Sequence, residues 1–231
     1  MEGIVINTID YKEKSKIVYL YTPNGINSVK ALDVMKKNLG FTVTLNHVDF
    51  EYSNSKFPTV LEYNLKKSYY NLYEDLKKMG IVITMLDVIK KLEGNYPHER
   101  IFKFFIECLN LLEKSKEPRY VLSVFLIKML YIFGVKPIFN ECVICGGKEI
   151  VNFSIKEGGT LCTNCATQNT EALKVCEWFY KLYSDKEYDE TKYEDIDYKH
   201  ILYKRKIKWW EKMLWIWNQG NWLFLKVLVM G

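Results

Sequence analysis

The sequence predicts an α+β chain: a small amino-terminal β-barrel, then a helical domain with a cysteine-bearing module set into it. Three observations predict it. Residues 2–66 hold five short apolar runs divided by turn residues. Residues 67–141 repeat apolar side chains at helical spacing. Two C-x-x-C pairs follow, Cys142–Cys145 and Cys162–Cys165, with 16 residues between them.

The strands come first. Gly3–Thr8 and Lys16–Thr22 are the first two. In the second, Ile17, Tyr19 and Tyr21 share one face, and Val18 and Leu20 the other. Pro23-Asn24-Gly25 supplies a hairpin turn, and Ile26–Leu32 returns as a third strand. Phe41–Tyr52 and Phe57–Leu65 make a fourth and a fifth, joined by Ser53-Asn54-Ser55. Five short strands in so short a stretch suit an OB-fold barrel over residues 2–66.

Helices follow over residues 67–183. Lys67–Lys78 and Ile81–Leu92 carry the helical period. Pro97-His98-Glu99-Arg100 opens another helix, which runs through Leu112. Pro118 stands in the first turn of a helix reaching Phe133, and Gly134 stops it. Between Val121 and Phe133 only Ser123 and Lys128 break an apolar run, which is too short to span a bilayer and reads as the domain's central helix. Thr170–Tyr183 is the last helix.

The cysteine module spans 142–165. Two residues between cysteines let both sulfurs reach one ion at about 2.3 Å, and the second pair completes a tetrahedron. The spacing is that of a four-thiolate zinc site, with ligands Cys142, Cys145, Cys162 and Cys165. A redox C-x-x-C sits beside a βαβ pattern, and a disulfide framework belongs to short secreted chains, so both readings are weaker. Four thiolates leave no open position for a catalytic water, so the zinc is structural. Gly146-Gly147 gives the first pair its backbone freedom. Ile150, Val151, Phe153 and Ile155 with the turn Glu157-Gly158-Gly159 read as a hairpin between the pairs. Cys108 and Cys176 read as core residues.

An apolar content of 48% over 231 residues excludes wholesale disorder. The net charge of +5 is unevenly placed: +1 over 1–66, +3 over 67–141, −5 over 142–198 and +6 over 199–231. Such alternation allows a basic face without a wholly basic protein. No basic, apolar leader opens the chain, so a cytoplasmic protein with reduced thiols is expected. Residues 184–231 join an acidic, Tyr-rich stretch to a basic tail with five of the six tryptophans. For that tail a docking helix, a non-native terminus and a membrane-interface segment all stand as readings. No Walker, G-x-S-x-G or H-E-x-x-H motif occurs, His47, His98 and His200 are scattered, and no enzyme is expected.

Three blocks resemble the bacterial recombination mediator family RecO. They are Gly3-Ile4-Val5 with Asp10 to Val18 and Thr22-Pro23-Asn24-Gly25; Phe133-Gly134-Val135-Lys136-Pro137; and Cys142-Val143-Ile144-Cys145-Gly146 with Phe153-Ser154, Gly158-Gly159, Cys162 and Cys165. The resemblance covers about residues 2–183. It implies an OB-fold, a helical domain carrying the zinc module, and no covalent chemistry. It also implies binding to single- and double-stranded DNA, annealing of complementary strands, contacts with single-stranded-DNA-binding protein and RecR, and help in loading RecA. The family's basic run after the third strand is thinner here, and the tail beyond 198 matches nothing expected.

DNA binding without sequence preference needs cations for phosphates and aromatic faces for bases. The candidate cations are Lys12, Lys14, Lys16, Lys30, Lys36 and Lys37, and an extended chain puts Lys12, Lys14 and Lys16 on one side. Tyr11, Tyr19 and Phe41 are the candidate stacking rings, with the core the favoured place for Tyr19 and Phe41. Lys77, Lys78, Lys90 and Lys91 could extend the track or merely solvate a helix. Arg119 and Lys128 are the candidate partner-binding cations, against the plainer reading of snorkelling surface charges. The rival function is a zinc-containing protein-interaction adaptor that does not bind DNA.

Overall fold

The computed structural model describes residues 1–92, 94–133, 137–154, 157–166, 171–194 and 196–198. The Trp-rich tail, the helix stop at Gly134, Lys136 and Ile155 lie outside the described residues, as does the side chain of Cys176. Two compact units divide the chain, Met1–Phe125 and Leu126 onward.

In the first unit, β1 (Glu2–Tyr11), β2 (Ser15–Thr22), β3 (Gly25–Ala31), β4 (Asn46–Tyr52) and β5 (Val60–Ser68) form one antiparallel sheet in the order β3-β2-β1-β4-β5. A parallel bridge between Lys30 and Thr59, with the Lys30 N–H donating to Pro58 O at 2.8 Å, closes β3 onto β5. Closure gives the five-stranded barrel expected of an OB-fold. A bulge between Val5 and Asn7 lets β1 bend, so it pairs β2 through Tyr11 but β4 only over Glu2–Ile4. Val5, Val18, Leu20, Val29, Ala31, Val48 and Phe50 fill the interior.

Two boundaries differ from those the sequence suggests. The alternation of Phe41, Val43 and Leu45 mimics a strand, but Gly40–Thr42 is a single 3-10 turn and β4 starts at Asn46. Leu45 has φ +68°, and its N–H donates to Val5 O at 2.8 Å. The chain there crosses the barrel's open end, and Phe41 plugs it with its ring 5.6 Å from Phe50 and 5.4 Å from Tyr63. The helix expected from Lys67 is instead the end of β5, where Lys67 pairs with His47. Helix α1 (Leu76–Lys90) begins only where Asp75 accepts the N–H of Lys77 at 2.8 Å and caps it.

Helix α2 (His98–Lys114) buries Ile101, Phe102, Phe105, Cys108, Leu109 and Leu112, the stripe its period predicts. Cys108 is thus a core residue, as expected. Tyr21, fully buried, sits 5.9 Å from the ring of Phe102 and 6.4 Å from that of Phe105, so α2 covers the outer side of β2 at that end. A polar clamp pins the end of β5 to α2: Lys67 Nζ donates to Asn110 Oδ1 at 2.7 Å and to Glu113 Oε2 at 2.6 Å. Tyr69 Oη donates to the same Asn110 oxygen at 2.9 Å. Helix α3 (Pro118–Ile132) is buried from Tyr120 to Leu130 at every residue but Lys128, the pattern of a central helix.

In the second unit, β6 (Ile150–Ser154) pairs antiparallel with β7 (Gly159–Cys162) and with the two-residue β8 (Glu171–Ala172), after which α4 (Leu173–Ser184) begins. The last helix therefore starts later than the sequence reading placed it, because residues 171–172 complete the small sheet first.

Candidate metal centre and nucleic-acid interface

The four paired cysteines converge. Their Sγ atoms all lie within 4.8 Å of one another, and Cys145 and Cys162 approach to 3.6 Å. A tetrahedral ion with thiolates at about 2.3 Å sets sulfur–sulfur separations of about 3.8 Å, so the cluster fits such an ion. Backbone geometry builds each half. In the first knuckle, Cys142 N–H donates to Gly147 O and Gly146 N–H to Cys142 O, both at 2.7 Å. Gly146 sits at φ +73°, where a side chain would be strained. In the second, Cys165 N–H and Ala166 N–H both donate to Cys162 O. The hairpin docks through Gly159: a Cβ there would stand 2.7 Å from Ile138 O, and Thr160 N–H donates to that same oxygen at 2.9 Å.

The thiols do not share one acidity. The Cys162 backbone N–H, with those of Cys145 and Ile144, holds the Cys142 thiol down to about 6. The Cys165 thiol, facing the sulfurs of Cys162 and Cys145, is pushed up to about 12. The cluster thus accepts one negative charge readily and resists more, since neighbouring thiolates repel. A divalent cation at the centre removes that repulsion.

Of the six sequence-predicted cations of the first unit, four lie on turns and Lys16 and Lys30 on strands. Lys12 and Lys14 lie in the tight turn between β1 and β2, with Lys12 at φ +60°. The expected alternation of Lys12, Lys14 and Lys16 on one extended strand is therefore not what brings them together. Lys16 is on β2, where its ammonium stands 3.4 Å from Asp10. The Lys14 carbonyl accepts the N–H of Val34 at 3.0 Å, which ties the first turn to a short π-helical turn, Val34–Asn38. That second turn exposes Lys36 and Lys37. Two cations stand near the Tyr11 ring, with Lys30 Nζ 4.9 Å and Lys12 Nζ 5.7 Å from its centroid.

A family model described as "Recombination protein O C terminal" matches residues 73–183. The chain is 30% identical to the DNA repair protein RecO of Bacillus pumilus, covering 73% of this chain and 68% of that one. That relative decides the matter. The chain belongs to the RecO family. It is also 28% identical to the RecO protein of Halalkalibacterium halodurans, over 78% of this chain and 74% of the relative. With the RecO protein of Shouchella clausii it shares 28% identity over 90% of this chain and 84% of the relative.

Against that family background, the other sequence-predicted residues fall in mixed places. Phe41 is in the barrel core, the place favoured for it. Tyr19 is not: it stands half-buried on the outer face of β2, because Val18 and Leu20 took the inward positions. Lys78 Nζ donates to the carbonyl of Glu113 at 2.8 Å. Arg119 makes a two-point pair with Glu117, both contacts at 2.7 Å. Lys128 Nζ donates to the carbonyl of Asp185 and to Tyr188 Oη, and lies 4.3 Å from the centroid of the Tyr188 ring.

Sequence reasoning missed Lys56 and Phe57. The bridge from Lys30 to Thr59 brings the loop between β4 and β5 beside β3, and Phe57 there is 73% exposed with Lys56 Nζ 6.0 Å from its ring centroid. The fifth strand had been expected to begin at Phe57. The overlooked signal was Pro58, which cannot donate to a ladder and which delays β5 to Val60.

Proposed function

We propose that this chain is a recombination mediator in DNA repair that holds single-stranded DNA on its barrel, anneals complementary strands and helps load a recombinase on coated single strands. The observation that carries the reading is the Tyr11 ring with the Lys12 and Lys30 ammonium groups near it, next to a turn tied to the one bearing Lys36 and Lys37. Cations meet phosphates there and aromatic faces meet bases, the two requirements of sequence-tolerant strand binding. Lys14 and Lys16 extend the charge, Lys16 at the cost of its contact with Asp10. Lys56 and Phe57 add one more cation and one more ring. A strand gripped by its backbone leaves bases exposed to a complement, and the same cations lower the repulsion between two strands.

The ion in the thiolate cluster is zinc in this reading, held by Cys142, Cys145, Cys162 and Cys165. Its chemistry is structural: it ties the two knuckles into one fold and leaves no position for a reacting water. The barrel-borne grip also disfavours an adaptor that ignores DNA. Contacts with single-stranded-DNA-binding protein and with RecR, and through them with RecA, belong to the same proposal. Arg119 and Lys128 are its partner-binding candidates, and an acidic partner there would exchange with Glu117 or with the 185–188 segment.

Fluorescence anisotropy with a labelled single strand, repeated over a salt series, tests the proposal. Each displaced phosphate counterion contributes a slope of about −0.7 in log affinity against log salt for single strands, so engagement of about four cations gives a slope near −3. A flat response, or no binding at low ionic strength, would overturn the reading in favour of the adaptor.

A further inference from the structure

The outer face of the first three strands does not stop at the cations. Paired residues of an antiparallel sheet face the same side. The row Ile9–Ile17–Lys30 is therefore followed, two residues along, by the row Asn7–Tyr19–Ser28. Successive rows stand about 7 Å apart. Ile9 is 48% exposed, and Asn7 and Ser28 are exposed as well, so no other described part of this unit covers the middle of that face. Past Tyr19 the face runs into an open recess of ≈ 600 Å³. Its walls carry Asn7, Tyr19 and Asn24 from the strands and the turn after β2, and Lys90 and His98 from the helices. No Asp or Glu stands among the described residues that line it.

We propose that this recess takes one nucleotide of a single strand lying along the outer face, with its base on the Tyr19 ring and its phosphate toward Lys90. The inference rests on the DNA-binding reading of the barrel. Volume permits it, since cavities of roughly 300–1,000 Å³ suit small organic ligands. The chemistry permits it too. Tyr19 offers a ring face, and Asn7 and Asn24 offer amide donors and acceptors that match a base edge. Lys90 stands 4.0 Å from Asp87, a weak contact that an incoming phosphate can replace. His98 is held by packing: its ring centroid is 5.9 Å from that of Tyr21, and its nitrogens reach only 3.4 Å to Tyr21 Oη and 3.3 Å to Gly94 O. Its imidazole forms a fixed wall. The site continues the face that begins at Tyr11 and Lys30, which favours a nucleotide of a strand already lying there over a separate acidic peptide.

Oligodeoxynucleotides carrying 2-aminopurine at successive positions test this with the full chain. One position should change its fluorescence on binding in a way its neighbours do not. Tyr19→Leu keeps an apolar side chain but removes the ring, and should abolish that local signal and weaken binding about ten-fold. Tyr19→Phe should retain both. Lys90→Gln should reduce the salt slope by about 0.7. Lys30→Glu should weaken binding but leave the local signal intact at saturating protein. If Tyr19→Leu binds and fluoresces like the parent, the recess is not a nucleotide site while the barrel reading stands. If the parent binds no single strand, the barrel reading fails and takes this one with it. If Tyr19→Leu spares DNA but loses an acidic, apolar-ended peptide, the recess is a peptide slot and the proposal is wrong.

Discussion

Both candidate sites are built from tight turns, but the two sets of turns are built differently. The cysteine module puts glycine where the backbone turns left-handed, at Gly146 (φ +73°) and Gly158 (φ +85°), and fixes every knuckle with backbone hydrogen bonds. The cationic turns put Lys12 (φ +60°) and Asp33 (φ +46°) in the same region of backbone space, at a cost of order 1 kcal/mol each. Their ammonium groups stay exposed, with Lys12 and Lys30 held only loosely over Tyr11. The difference suits the ligands proposed for the two. A tetrahedral ion tolerates errors of only tenths of an ångström in sulfur position, whereas a polyanion asks only that charge be near.

That contrast can be broken or sharpened experimentally. The largest effect should come from the metal. Chelation, or Cys162→Ser, should lower stability by roughly 3 kcal/mol or more, because binding energy of a structural ion is folding energy. Thermal unfolding with a parallel metal assay measures it, and an unchanged midpoint after the metal is lost would mean that the knuckles stand without an ion. Next, Gly159→Ala forces a methyl within 2.7 Å of Ile138 O and should cost about 1–3 kcal/mol in a urea titration. The double change Lys36→Glu with Lys37→Glu should leave the urea midpoint unmoved. It should reduce single-strand affinity at least ten-fold and flatten the salt slope by about 1.4. A stability loss without an affinity loss would invert the comparison.

The smallest effect concerns pH. Burial of His47 holds its pKa below the ordinary 6.5, and the Glu2 carboxylate at 2.7 Å only partly offsets this. The unfolded chain therefore binds the proton first as pH falls. The stabilising contribution is full above 6.5 and is lost as pH drops from there through the depressed native value. Glu2, held low chiefly by the Lys66 ammonium, loses its own contribution only below its ordinary 4.5. Between pH 7 and pH 5 the parent should lose stability in a urea titration, and His47→Asn should show a shallower decline. Equal slopes would remove His47 from the account.

Particular residues show how far the sequence could be read. The thiolate cluster was fully legible, because C-x-x-C is a local pattern whose consequence is local. The stripe of α2 was legible for the same reason, including Cys108. Phe41 was read correctly as a core residue but inside the wrong element, since a plug at a barrel mouth repeats apolar residues just as a strand does. Lys12, Lys14 and Lys16 were picked out for an alternation that does not exist. Lys14 lies instead in a turn that the Val34 N–H ties to the turn bearing Lys36 and Lys37, while Lys16 stands on β2 beside Asp10. Phe57 was lost to a strand that starts three residues later.

Spacing along the chain was enough to single out the four cysteines that converge, the number of strands in the first sheet and the apolar face of α2. Alternation of period two says that neighbours face opposite ways, but it cannot say which of the two ways is inward. Closure of β3 onto β5 made that decision, turning Val18 and Leu20 in and leaving Tyr19 outside. The same closure set Lys30 beside Pro58 and so carried an exposed ring, Phe57, to the edge of the cationic face. Contacts between residues far apart in the chain decided these placements, and no window of sequence contains them.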